Sequence, residues 1–301
     1  MIISDGLQDR QVAKSGRLRT TLLRSYAQTP EHPSKYRIIR WLGRHAFPKD
    51  GIKHRAYGDI ELMLHPRDWL EYWLLRGEEY EPLTLKFVER NLSNGDVAIL
   101  AGVNFGLHVA VAAQAVGEDG HVIGVEPQPA ALLRATQNLR LNNLLNRVTL
   151  MSVALGARAD LVHMAWQNTV NAGASSLLDE GAGLSVSVLP LSQVIKSRHC
   201  EKVRLLLLDV QGYEQQVLAG LDNTCLPEIL IVELDPEFLH RANTSSASLL
   251  KQIKDLGYSL YSLEGNKVTA DCEALPERNV VGLRGNVEVS WPQISQTKGF
   301  K

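Results

Sequence analysis

Short apolar runs and longer stretches of mixed character alternate along this chain, and the period of the pattern changes with them. The runs at 96–101, 121–126 and 147–151 have the length of buried strands, and the segments between them, 105–116 and 128–143, carry apolar residues at helical spacing. The same alternation returns as strand 203–209, helix 212–220, strand 228–234 and helix 246–256. Repeated strand–helix units of this kind predict a doubly wound α/β fold, a parallel sheet with helices on both faces. The interval between 152 and 202 reads as loop-rich. Ahead of residue 80 the texture differs: a helix is predicted over 34–46, a hairpin turning at Tyr57-Gly58-Asp59, and helices around DWLEYWLLRG and EPLTLKFVERNL. The expected organisation is an N-terminal helical and hairpin extension at 1–80, a main domain at 81–290 and a C-terminal tail at 291–301.

Composition narrows the function. With 301 residues and 45% hydrophobic content the chain can bury a large core. A net charge of −1 lacks the basic excess of a protein that neutralises phosphates, so no nucleic-acid partner is expected. Charge is uneven: residues 1–60 hold 12 Lys or Arg against 5 Asp or Glu, +7 there and −8 in the remainder. That basic segment either meets an anionic surface or pairs with the acidic body. Cys200, Cys225 and Cys272 are too far apart for a zinc motif or a disulfide framework, which fits a reducing, cytoplasmic setting. No leader and no membrane span is expected, since no run reaches the ~18 apolar residues a span needs.

The candidate chemistry begins at the first strand-to-helix turn. Ligands of open α/β sheets sit at the carboxyl ends of the strands, and Gly102 and Gly106 flank a turn where backbone can approach one and a helix N-terminus faces it. Glu126 ends the next strand, 24 residues after Gly102, where a carboxylate can accept both hydroxyls of a ribose; Pro127 then turns the chain away. A dinucleotide would want G-x-G-x-x-G, but Gly102, Asn104 and Leu107 occupy those positions. An adenosyl ligand with a single ribose, such as S-adenosylmethionine, is favoured.

Several short motifs, in order, then coincide. Leu100-Ala101-Gly102-Val103-Asn104-Phe105-Gly106 is similar to D-x-G-A-N-x-G, and Glu126-Pro127 to a strand ending in Glu-Pro. Ser152-Val153-Ala154-Leu155-Gly156 is similar to N-x-A-L-G, and Leu208-Asp209-Val210-Gln211-Gly212-Tyr213-Glu214 to I-D-V-E-G-x-E. Over about 80–240 the chain resembles the FkbM-type methyltransferases, including a small-residue loop at 171–178. The resemblance implies a Rossmann-like class I methyltransferase sheet and S-adenosylmethionine held by Gly102, Val103, Asn104, Phe105, Gly106, Glu126, Pro127, Ala154 and Asp209. It also implies O-methylation of a small-molecule or glycan hydroxyl.

Two positions depart from the family. Leu100 replaces the first motif's Asp, which predicts an apolar wall and weakened cofactor binding, and Gln211 replaces the fourth motif's Glu. A non-catalytic methyltransferase-like binding module therefore stays open as the alternative. Methyl transfer to an alcohol needs an in-line acceptor and a base for its proton. Asp209 and Glu214 are the catalytic candidates; Glu233 and Asp235 end the following strand; His108 reads as structural. No metal site is expected. The extension is left between contacts to the acceptor and contacts in a homo-oligomer.

Overall fold

The computed structural model describes residues 21–22, 25–30, 32–43, 51–65, 68–165, 183–197, 202–224, 226–269 and 275–293. Backbone contacts divide the chain into two compact units, with the boundary between Tyr80 and Glu81.

The first unit holds helix α1 (Lys35–Gly43), a hairpin of β1 (Ile52–Tyr57) and β2 (Ile60–Leu64), and helix α2 (Trp69–Leu75). The hairpin turns at Gly58-Asp59, and alternate residues Ile60, Leu62 and Leu64 are buried, as its period-two pattern requires. Asp68 caps α2 by accepting from Leu70 N at 3.0 Å and Glu71 N at 3.4 Å. Lys35 is fully buried, and its ammonium donates to the carbonyls of Ala27 and Thr29.

The second unit starts with α3 (Pro82–Asn91) and is built on a seven-stranded sheet. Its strands are β3 (Val97–Ala101), β4 (His121–Val125), β5 (Val148–Met151), β9 (Leu205–Leu208), β10 (Ile229–Glu233), β11 (Tyr258–Ser262) and β12 (Asn279–Arg284). The order across the sheet is β11-β12-β10-β9-β3-β4-β5. From β10 to β5 every pair is parallel, whereas β12 runs antiparallel between β10 and β11. This is an α/β Rossmann-like fold with a mostly parallel sheet. All four leucines of β9 are buried, because parallel strands are covered on both faces and cannot alternate. The covering helices are α4 (Leu107–Ala115), α5 (Pro129–Leu141), α7 (Glu214–Ala219), α8 (Pro236–Arg241) and α9 (Ser246–Asp255). Residues of β3, β4, β9, β10 and β12 pack with Leu249, Leu250 and Ile253 of α9 in one core.

The interval 152–202 is not merely loop. Its described part forms β6 (Ala154–Gly156), β7 (Asp160–Ala165) and β8 (Gly183–Pro190), a three-stranded sheet in the order β6-β8-β7, followed by α6 (Leu191–Ser197). The small-residue loop at 171–178 lies outside the described residues. Trp291, placed at the start of the tail, stacks at 5.4 Å from Phe87 and 5.5 Å from Tyr261.

Candidate functional site at the carboxyl edge of the sheet

β3, β4 and β9 end side by side, and the turns that follow them enclose a cleft of about 670 Å3, its open mouth included. Gly102 and Asn104 come from the turn after β3, Glu126 and Pro127 from that after β4, and Asp209 and Gln211 from that after β9. Gly102 is required at its place: φ is +91°, and a Cβ there would stand 1.9 Å from the carbonyl oxygen of Asp209. The turns after β3 and β9 each hold a non-glycine residue in the same region. Asn104 and Gln211 have φ of 50° and 55°, a left-handed conformation that non-glycine residues keep only where the surroundings hold it.

Two carboxyls stand at the two sides of the cleft. Glu126 is buried and accepts from Asn104 N at 3.2 Å and Gln128 N at 3.0 Å, so it fixes the glycine turn against the β4 turn. Burial raises its pKa, and the two backbone donors act against that rise. Asp209 accepts from Gln211 Nε2 at 2.8 Å. Burial raises its pKa and the charge of Glu81 adds to this, while hydrogen bonds from Glu233 and Gln211 oppose it. Behind it, Glu233 is pushed well above the usual carboxylate range by burial and by the neighbouring Asp209.

Three further groups support this edge. Glu214, 1% exposed, does not line the cleft; its Oε1 accepts from Val210 N at 3.0 Å and Gly212 N at 3.2 Å and so ties down the turn that carries Asp209 and Gln211. Burial lifts its pKa to about 7. His108 lies in the first turn of α4 with Nε2 3.2 Å from Glu81 Oε2. Burial lowers its pKa, but the Glu81 hydrogen bond and the charges of Glu81, Asp209 and Glu277 outweigh that and leave it raised. Glu81 has φ of 45° and does not cap α3 with its side chain. Glu277 does so from the far end of the chain, accepting from Leu83 N and Thr84 N, each at 2.8 Å.

The sequence candidates are thus partly brought together. Gly102, Asn104, Glu126, Pro127, Ala154 and Asp209 share the cleft. Val103 and Phe105 are buried, 3% and 2% exposed, and Gly106 is the N-cap residue of α4. Leu100 corrects the expectation of an apolar wall: it is fully buried and absent from the cleft lining, because strand alternation sends it to the face opposite Ala101, which does line the cleft. Asp235 is occupied as the N-cap of α8 and pairs with Arg278. Sequence reading missed Gln128, Tyr213 and the apolar side formed by Val153, Leu155 and Met164. Gln128 had a signal, its place directly after Glu126-Pro127; Met164, on β7, had none. Among the described residues no three His, Cys, Asp or Glu side chains are grouped to hold a metal ion, and no helix is long and apolar enough to cross a membrane.

An adenosyl group fits this lining. Val125, Ala131, Val153, Leu155 and Met164 offer apolar surface, and the carboxyls of Glu126 and Asp209 offer hydrogen-bonding oxygens. In a Rossmann-like sheet a cleft beyond the carboxyl edge is where nucleotide-type cofactors bind. The family profile described as the methyltransferase FkbM domain matches residues 101–260, more than half of the chain, and the chain belongs to that family. It is an S-adenosylmethionine-dependent methyltransferase. No curated protein matches it in sequence. Solved structures similar to it include an S-adenosylmethionine-dependent O-methyltransferase from Thermotoga maritima, with 17% identity, 69% of this chain and 67% of that one covered, and a TM-score of 0.39. A methyltransferase of the same cofactor class from Aquifex aeolicus gives 12%, 64%, 82% and 0.37. An rRNA methylase from Streptococcus thermophilus gives 13%, 67%, 93% and 0.36.

Proposed function

We propose that the protein O-methylates a hydroxyl of a sugar or secondary metabolite, with Asp209 as the base. S-adenosylmethionine, when bound, supplies a methyl carbon activated by a sulfonium. The chain then has to bind it, orient the acceptor and take one proton. In this reading the backbone of Gly102 and Asn104 and the carboxylate of Glu126 hold the ribose side, and Ala154 with its apolar neighbours takes the base. Glu214 acts by fixing the Asp209 turn rather than by touching substrate. The observation that carries the proposal is that Asp209 opens into the same cleft as Glu126 while Gln211 Nε2 holds its carboxyl at 2.8 Å.

The non-catalytic alternative loses one of its supports, since Leu100 packs away from the cleft. Residues 1–80 are proposed as a separate extension, supported by the division of contacts after Tyr80, and a cytoplasmic setting is proposed from the scattered cysteines. The test is methyl transfer from labelled S-adenosylmethionine to a panel of polyols, sugars and phenols. Asp209→Asn is expected to cut the rate by about 10²–10⁴, the span for a lost general base. Transfer to amines or thiols alone would overturn the assignment to oxygen.

A further inference from the structure

Asp209 reaches the cleft and Glu233, at the end of β10, stands behind it. One side-chain amide touches both, with Gln211 Nε2 2.8 Å from Asp209 Oδ1 and 3.4 Å from Glu233 Oε2. That amide nitrogen brings the two carboxyls to one place, and the neighbouring Asp209 helps to push Glu233 well above the usual carboxylate range. Two carboxyls that share a site favour one proton held in common over a second ionisation. The titratable groups facing the pair are Glu81 ahead of α3, His108 on α4, Glu126 after β4 and Glu214 on α7. Of these four only His108 can carry a positive charge. The other three are carboxyls, so for this half-buried pair a second ionisation is costly unless a cation arrives beside it.

We infer that Asp209 and Glu233 form a charge-sensing carboxyl pair: it keeps one shared proton beside a neutral thioether and gives that proton up when a positive sulfonium settles in the cleft. The inference rests on the reading of the cleft as the S-adenosylmethionine site. Its consequence is that the base is created by the arrival of the methyl donor. Relieved of its proton, the pair takes the one from the acceptor as the acceptor O–H bond breaks. The oxygen's electron pair forms the O–CH₃ bond, and the S–CH₃ bond breaks with its electrons going to sulfur. The pair ends with the single proton it began with, and the proton released overall is the one given to solvent at the start. Asp209 is the catalytic member; Glu233 is a positioning residue that acts through it.

The experiment needs no acceptor. Calorimetric titration of the full chain with S-adenosylmethionine, and separately with S-adenosylhomocysteine, in two buffers of different ionisation enthalpy at about pH 7 counts the protons exchanged on binding. Both ligands carry the same ammonium and carboxylate, so those contributions cancel in the difference. S-adenosylmethionine is expected to release about half to one proton more than S-adenosylhomocysteine. The difference should vanish in Glu233→Gln and persist in His108→Gln. A measurement without any variant is the ratio of the two affinities against pH, which should move toward S-adenosylmethionine as pH rises, by at most about tenfold per unit. Equal proton counts for the two ligands, or a difference abolished by His108→Gln instead of Glu233→Gln, would overturn the inference. If the folded protein binds neither ligand, the cofactor reading itself fails; binding of both with equal counts defeats only the carboxyl pair.

Discussion

Gly102 and Asp209 meet backbone to backbone: the position of a Cβ on Gly102 lies 1.9 Å from the Asp209 carbonyl oxygen. Asp209 N in turn donates to Ala101 O at 3.0 Å. The two turns that build the cleft are therefore one packed unit, and any side chain at Gly102 pushes them apart.

Gly102→Ala is accordingly expected to cost about 2–4 kcal/mol, from a left-handed alanine plus overpacking against rigid backbone. Urea unfolding measures the loss. A variant as stable as the parent would mean that the turns do not touch.

Leu100→Asp is expected to destabilise without improving the cofactor site. Leu100 is fully buried on the face of β3 away from the cleft, so a carboxyl there loses apolar burial and enters the core without water. The predicted cost is about 2–5 kcal/mol, as for other losses of a buried leucine. Paired titration with S-adenosylhomocysteine and a thermal melt provide the check; a tighter-binding variant of unchanged stability would restore Leu100 to the site.

Glu126→Ala removes the acceptor for both Asn104 N and Gln128 N as well as the proposed ribose contact. S-adenosylhomocysteine affinity should fall by about 1.5–3 kcal/mol, the value of hydrogen bonds to a charged group. Calorimetry reads this directly, and an unaltered dissociation constant would take Glu126 out of cofactor binding.

Stability should fall with rising pH through Glu214. Its folded pKa is about 7, raised by burial from the ordinary 4.5, so the folded state holds the proton more tightly than the unfolded chain. The stabilisation is fully present below about pH 4.5 and is lost as pH climbs through about 7. Between about pH 6 and 8 this one group accounts for roughly 1 kcal/mol. The raised pKa values of Asp209, Glu126 and Glu233 have the same sign. Comparing urea midpoints at the two pH values in the parent and in Glu214→Gln isolates the Glu214 share; an identical pH dependence in both would contradict it.

Much of the second unit was legible because its elements are locally consistent. The run VAILA, the glycine turn and the apolar helix after it specify a strand–turn–helix whatever surrounds them, and Glu126 is tied to strand β4 by the Pro that follows. The hairpin at Gly58-Asp59 was legible for the same reason. The antiparallel insertion of β12 was not: its residues VVGL read as any buried strand, and direction is set by the partner strands β10 and β11. The three-stranded sheet of β6, β7 and β8 escaped because β6 has only three residues and the chain between β7 and β8 is long.

Sequence by itself determined the α/β class, the glycine turn and the carboxylate at the next strand end, since periodicity and backbone chemistry are local properties. Tertiary structure alone decided which way each carboxyl faces. It put Leu100 in the core through the alternation of a covered strand, made Glu214 a tether of a turn by burying it, and brought Asp209 and Glu233, 24 residues apart in sequence, to the one amide of Gln211. A side chain's charge state depends on what burial and neighbours do to it, and neighbours from distant segments exist only once the chain has folded.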